Sequence, residues 1–179
     1  MRLFIMRHGQ TQNNIHGRIT GRFDEDINET GILQAENSIE YAKSIDFDII
    51  ISSPLRRAIH TAEIINYKEL CIRIDNRLTE RDMGSLTNSE LHSNINRMDF
   101  WNINPIIDYG NVEPMSNMFA RVGDFYEDIK KHYQKEKLII VTHEGFARVL
   151  HSYIHGIPKH GAFVEGHIAN CEIREVLNV

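Results

Sequence analysis

At 179 residues, with 41% hydrophobic and 25% charged side chains, the chain is long enough for one sizeable core and short for two, so a single domain over residues 1–179 is expected. A formal net charge of −5 argues against a nucleic-acid or anionic-membrane surface, while leaving room for a local basic pocket. No apolar run approaches a membrane span and no secretory leader opens the sequence; two cysteines, Cys71 and Cys171, each in a strand-like run, suit buried thiols in a reducing cytoplasm better than a disulfide framework.

In chain order, Leu3 to Met6 is an apolar run too short for a helix, and it delivers Arg7 and His8 to the end of a buried strand before Gly9. Open α/β sheets bind ligands at that end of their strands. Arg7 is a planar donor fork for a carboxylate or phosphate, and His8 an imidazole able to act as nucleophile, base or ligand; a pair in this place equally serves to cap and solvate a turn. Residues 13–29 read as a polar, Gly-punctuated loop leading back over Arg7 and His8. Thr30 is expected to cap a helix whose Ile32, Leu33, Ala35, Ile39 and Ala42 share one apolar face. Phe47 to Ser52 is a second buried strand. Ser53 and Pro54 then supply a cap and a first helical position for a helix from Leu55 to Ile65, which puts Arg56 and Arg57 where backbone N–H groups favour an anion, unless they only form a solvated face.

A third strand, Cys71 to Asp75, runs into a charged loop holding Glu80, a candidate acid or base, although a lone glutamate is ordinarily exposed. Residues 85–112 have the character of an insertion over a pocket, with a short helix near Ser89 to Met98. Met115 to Tyr133 forms a long amphipathic helix that buries Met118, Val122, Phe125 and Ile129. Leu138 to Thr142 is the strongest strand signal, ending in His143, Glu144 and Gly145 before a helix from Phe146 to about His155; it repeats the grammar of the opening stretch. Asn170 to Leu177 gives a last strand.

Two histidines, two arginines and a glutamate, each at or just past a strand end, can converge because strand ends of one sheet share a rim. Here the chain resembles the histidine phosphatase superfamily, which includes phosphoglycerate mutase-like proteins and many small phosphatases. The resemblance is carried by RHGQTQNN from Arg7 to Asn14, SPLRRAIHTA from Ser53 to Ala62, LTERDMG from Leu78 to Gly84, ARV from Ala120 to Val122, VTHEG from Val141 to Gly145 and NCEI from Asn170 to Ile173. It implies a three-layer α/β/α fold around a mostly parallel sheet with one antiparallel strand. It implies His8 as the nucleophile, Glu80 as proton donor to the leaving group, and His143 with Arg7, Asn14, Arg57 and the Glu144 backbone around the phosphate, with no metal and no cofactor. Gln10, Thr11, Arg18 and Arg81 are substrate-side candidates, and His16, Arg22, His92, Arg97 and Trp101 are further candidates from the loops.

The chemistry has its own footing. Fixed arginines neutralise the oxygens of a phosphate monoester with defined geometry, and the same cations disfavour a protonated His8, leaving an imidazole able to attack in line. A carboxyl group beside the ester can give its proton to the departing alkoxide and then activate water. The sequence departs from the family pattern at Glu144, where Gly is frequent and whose carboxylate is expected to point away from the phosphate, at Asn88, where a second Gly often stands, and at Pro114, where Ser often follows the glutamate matching Glu113. A modest segment between Gly84 and Glu113 and an end directly after the last strand leave a phosphohistidine open to water. The expectation is therefore a phosphatase acting on a small phosphomonoester, with a cofactor-dependent mutase as the alternative. A metal-binding or regulatory module is the remaining reading, on His151 and His155 at helical i, i+4 spacing. Nothing in the sequence speaks to oligomeric state.

Overall fold

The computed structural model describes residues 1–90 and 95–178. Its elements in chain order are β1 (Arg2–Arg7), α1 (Gln12–Ile15), α2 (Glu29–Asn37), α3 (Ile39–Ile45), β2 (Ile49–Ser52), α4 (Arg56–Ile65), β3 (Arg73–Ile74), α5 (Arg97–Phe100), α6 (Met115–His132), β4 (Lys137–Thr142), α7 (Glu144–His155) and β5 (Ile173–Asn178), with 3₁₀ turns at Asn76–Leu78 and Gly84–Leu86. The sheet order is β3-β2-β4-β1-β5. β1, β2, β3 and β4 run parallel and β5 antiparallel beside β1, as the resemblance implied.

Helices cover both faces because the parallel strands are apolar on both. Leu3 and Ile5 of β1 point with Leu138 and Ile140 into a core closed by α6 and α7, through Val122, Phe125, Phe146 and Leu150 among others. Phe4 and Met6 point the other way with Ile50, Ile139 and Val141, against Ala35, Ala42, Ala58 and Ala62 of α2, α3 and α4. Small alanines on that side let the helices lie close over the large strand residues. The three-layer arrangement results from this period-two division of each strand.

Several local expectations are corrected. Asn28, not Thr30, caps α2, its Oδ1 accepting the Gly31 N–H at 2.8 Å. The helical segment after it breaks at Ser38 into α2 and α3, and Leu33 is turned to solvent while Ala35 and Ala42 carry the buried face. α4 begins at Arg56 with Leu55 at its cap, and Asp24 supplies the acceptor for the Arg56 N–H at 2.7 Å, so the anion at that helix start is the protein's own. Cys71 is exposed, because the third strand is only Arg73–Ile74 at the sheet edge; Cys171 is buried in the turn before β5, where burial pushes its thiol up to about 12. The expected helix from Ser89 to Met98 falls partly outside the described residues, and beyond them the chain forms only the single turn α5, capped by Asn96.

The turn after β1 is held by a close crossing with the start of α2. A Cβ placed on Gly9 would come 2.6 Å from the Gly31 carbonyl oxygen, and one placed on Gly31 would come closer still to the Gln10 carbonyl oxygen and 2.8 Å from its nitrogen. Both obstacles are backbone, so they cannot swing aside. Gly31→Ala is therefore expected to destabilise the protein by about 1–3 kcal/mol, read from urea unfolding. A loss below about 0.5 kcal/mol, the size of an ordinary surface substitution, would show that the crossing is looser than described.

Candidate active site

The carboxyl ends of β1, β4 and β2 are locked in register. Arg7 lies opposite Thr142, the His8 N–H donates to the Thr142 carbonyl at 3.0 Å, and the Ser53 N–H donates to the Val141 carbonyl at 3.0 Å. His8, His143 and Ser53 thus leave the sheet side by side. His8 Nδ1 lies 2.8 Å from the Gly9 carbonyl oxygen. A carbonyl only accepts, so Nδ1 carries the proton and Nε2 the lone pair. The turn is held by the Gly9 N–H donating to Thr61 Oγ1 of α4 at 3.0 Å and by Asn170 Nδ2 donating to the His8 carbonyl at 2.9 Å.

His143 is fully buried, its ring centroid 5.1 Å from that of His8. Its Nε2 is 2.8 Å from Ser53 Oγ, which also accepts from the Leu55 N–H. A hydroxyl can either donate to Nε2 or accept from it, and the other ring nitrogen, Nδ1, is buried with no partner. Burial, and then Arg57 and Arg7, hold both histidines well below the usual imidazole pKa, so both rings are neutral.

Arg57 is buried in α4 with Nη1 and Nη2 each donating at 2.7 Å, to the carbonyls of Phe23 and Gly21. The polar loop after α1 therefore does return over the strand ends, and it aims this guanidinium; Arg56 is exposed and pairs with Asp26 instead. Arg7 Nη1 is held by the Ile168 carbonyl at 3.0 Å and by Glu144 Oε2 at 3.2 Å. In both arginines the Nε–H is buried and unpartnered, as is His143 Nδ1. Asn14 Oδ1 accepts from the Thr11 N–H and from Asn170 Nδ2, which leaves its own NH₂ as the free end of an amide that lines the cavity.

Glu80 lies across the cavity from this cluster. Its Oε1 accepts from the Arg81 N–H at 2.7 Å and its Oε2 from the Gly145 N–H at 3.1 Å, at the start of α7. A Cβ at Gly145 would collide with the Glu80 carboxylate, which is why glycine follows Glu144. The loop carrying Glu80 is clamped from below by Arg121, which donates to the carbonyls of Arg77, Thr79 and Glu80 and pairs with Glu113 at 2.8 Å.

These groups open on a cavity of about 580 Å³, lined by Arg7, His8, Asn14, Arg57, Glu80 and Glu144, and also by Arg18, Arg97 and Trp101. Trp101, Phe100 and Ile95 come from the segment expected to lie over a pocket. Other substrate-side expectations are corrected. The Gln10 side chain turns to Asn28, and its backbone N–H to Gln34. Thr11 is buried as the cap of α1. Arg81 is buried beneath the site, donating to the Glu113 and Phe100 carbonyls with its guanidinium 4.5 Å from the Phe100 ring centre, and burial lowers its pKa to about 10. His16 and Arg22 do not line the cavity, and His92 lies outside the described residues. Asn88 has φ +64°, the left-handed region where glycine is usual and asparagine tolerated, and its Oδ1 accepts from Asn13 Nδ2 at 2.8 Å.

The Glu144 carboxylate does not point away. It stays in the cavity wall, bound by Arg7, Arg148 and His167, the last at 2.8 Å. Burial raises its pKa, but Arg7, His167 and Arg148 more than offset that, and the group remains ionised below the usual glutamate range. Ser53, Thr61, Arg148, His167 and Asn170 are the site residues that sequence reasoning gave no such role. Ser53, Thr61 and Asn170 stood in motif stretches that could have signalled it. His151 and His155 lie ring to ring at 4.5 Å, and among the described residues no group of three or more histidine, cysteine or carboxylate side chains is placed to hold a metal.

Comparison with known proteins accords with this geometry. The family model described as "Histidine phosphatase superfamily (branch 1)" matches residues 3–177. The chain is 33% identical over 153 residues to the "Uncharacterized phosphatase PhoE" of Bacillus subtilis, covering 85% of this chain and 76% of that protein. It is 32% identical over 183 residues to the "Probable phosphoglycerate mutase GpmB" of Shigella boydii, covering 98% and 84%. Among solved structures, a mycobacterial glucosyl-3-phosphoglycerate phosphatase complexed with VO₃ superposes with a TM-score of 0.84 at 23% identity, over 96% of this chain and 90% of that one, a likeness of fold.

The neutral histidines have a consequence for stability. The unfolded chain takes up protons on His8 and His143 as pH falls through about 6.5, whereas the folded chain, with both pKa values lowered, does not; stability therefore falls with pH below that point, by up to about 1.4 kcal/mol per pH unit for each histidine. Urea unfolding of the wild type and of His143→Gln at pH 7.0 and 5.5 measures this. The variant should lose less stability on acidification than the wild type, and equal losses would contradict a neutral buried His143.

Proposed function

Because the chain belongs to the histidine phosphatase superfamily, branch 1, whose members work through a phosphohistidine, we propose that this phosphoric monoester hydrolase uses His8 as its nucleophile and Glu80 as its general acid and base. The observation that carries the reading is a set of three buried nitrogens without partners, Arg7 Nε, Arg57 Nε and His143 Nδ1, around a histidine whose Nε2 lone pair is free; in our reading His143 Nδ1 carries its ring's proton and donates to the phosphoryl group. Buried donors left unpaired are costly, and a phosphoryl group is a ligand whose oxygens satisfy all of them at once. In the first step Nε2 attacks phosphorus, the bond to the ester oxygen breaks, and the Glu80 proton goes to that oxygen as the alcohol leaves. In the second step water attacks the phosphohistidine, its proton returns to Glu80, and phosphate departs as Nε2 regains its lone pair.

The arginines supply the positive field for the charge that develops on the equatorial oxygens, a task given to ions in metal-dependent phosphatases, and the neutral His143 adds a hydrogen bond. His8 lines a cavity of about 580 Å³, much larger than a phosphoryl group, so water has room to reach phosphorus once the alcohol has gone, which favours hydrolysis over return to a second acceptor. The substrate is a small phosphomonoester, and the protein works as one domain. Two free thiols suit a reducing cytoplasm, and among the described residues no helix is long and apolar enough to cross a membrane.

Glu80→Gln tests the reading because it keeps the size and removes the proton. General acid catalysis typically contributes about 10²–10⁴-fold, and an alkoxide needs it where a p-nitrophenolate does not. Single-turnover formation of the phosphoenzyme should therefore slow strongly with an alkyl phosphate and much less with p-nitrophenyl phosphate. Equal losses for both esters would make Glu80 a positioning group and send the search for the proton donor to Asp82 or Glu144.

A further inference from the structure

We infer that Glu144 determines specificity, turning the enzyme away from phosphomonoesters that carry a carboxylate on the carbons next to the ester oxygen and toward those with neutral, hydroxylated carbons there. The inference rests on the hydrolase reading above. The leaving oxygen must lie at Glu80 to receive its proton, and Glu80 is hydrogen-bonded to the Gly145 N–H, one residue from Glu144. A Cβ on Gly145 would meet both the Glu80 carboxylate and, at 3.1 Å, the edge of the Trp101 ring. Glu80, the first turn of α7 and Trp101 are thus packed into one stretch of cavity wall, and the first carbons of the departing alcohol lie against it, beside the Glu144 carboxylate.

That carboxylate cannot swing out of the way. Its Oε1 is held by Arg148, a nearly fully buried side chain also tied to the Val164 carbonyl, and by His167; its Oε2 is held by Arg7 at 3.2 Å. The attraction of the α7 N-terminus and of Arg148 for an anion is already met by the protein's own Glu80 and Glu144. A substrate carboxylate in this place would find like charge and no free cation. A substrate hydroxyl would find Oε2, which accepts from Arg7 alone. Arg18 and Arg97, which make no ion pair among the described residues, line the same cavity from the loop after α1 and from α5, so the exclusion is confined to the carbons that lie beside the Glu144 carboxylate itself.

The test compares kcat/KM for glycerol 3-phosphate and 3-phosphoglycerate, which differ by a hydroxymethyl against a carboxylate, in the wild type, in Glu144→Gln, and in Glu144→Gln combined with Arg148→Gln. The wild type should prefer glycerol 3-phosphate by about 10-fold or more, and Glu144→Gln should shift that ratio toward 3-phosphoglycerate by about 10- to 100-fold, because Arg148 is then left to receive the substrate carboxylate. The double variant should lose most of that shift. A wild-type preference for 3-phosphoglycerate overturns the inference without need of any variant, and so does a shift below about threefold in a folded Glu144→Gln. Hydrolysis of p-nitrophenyl phosphate by the wild type is measured alongside: its absence would overturn the hydrolase reading and this inference with it, whereas its presence with an unchanged ratio would overturn this inference alone.

Discussion

The hydrogen bond from His8 Nδ1 to its neighbour's carbonyl, 2.8 Å long and closed off from water, is the interaction on which the rest of the structure depends. It sets the tautomer, and with it the free lone pair on Nε2. It holds only if the turn is rigid, and the turn is rigid because β1 ends in register with β4, because Thr61 and Asn170 bind its backbone, and because Gly9 and Gly31 let it touch α2. Burial beside Arg57 and Arg7 then keeps the ring unprotonated where an exposed imidazole would begin to charge. A neutral nucleophile set among fixed cations is a preorganised site, costly to keep empty and suited to one kind of ligand.

Holding two arginines at the strand ends requires compensation, and much of the remaining chain supplies it. The loop after α1 turns two carbonyls toward Arg57, while Ile168 and Glu144 serve Arg7. Arg121 clamps the opposite loop through three carbonyls so that Glu80 faces the cavity from a fixed base. These are charge-assisted bonds in a largely buried setting, where removal of one partner leaves the other unsatisfied. The electrostatics of the site and the path of the backbone around it are thus one problem. This is why residues far apart in sequence, such as Gly21, Ile168 and Asn170, bear on the same few atoms.

How much of the molecule is legible in its sequence depends on which forces are local. β1, β4 and α6 were legible because their apolar period is strong and their burial complete, and the histidines at the ends of β1 and β4 were legible because a strand end fixes where a side chain emerges. Arg57 was separable from Arg56 only through the family motif, since both stand in the same helical turn and the choice is made by carbonyls 34 and 36 residues earlier. Gln10, Thr11 and Arg81 look like site residues for their nearness to His8 and Glu80, yet each is claimed by a competing partner: Asn28, the first turn of α1, and the carbonyls of Glu113 and Phe100. Glu144 was expected to avoid the phosphate. Of the groups that hold it in the wall, Arg148 stands four residues on in the same helix, a spacing the sequence does show, whereas His167 comes from the loop before β5 and carries no local signal. Cys71 was misplaced for the related reason that a short edge strand leaves apolar residues half in water.

The claim that His8 is the group phosphorylated is tested most directly by acid-free rapid quench of the enzyme with a labelled phosphomonoester, followed by peptide mapping of the bound phosphate. The account predicts a base-stable, acid-labile phosphoramidate on His8, formed no more slowly than the steady-state turnover. Phosphate trapped on His143, or turnover at the normal rate with no phosphorylated residue, would contradict it.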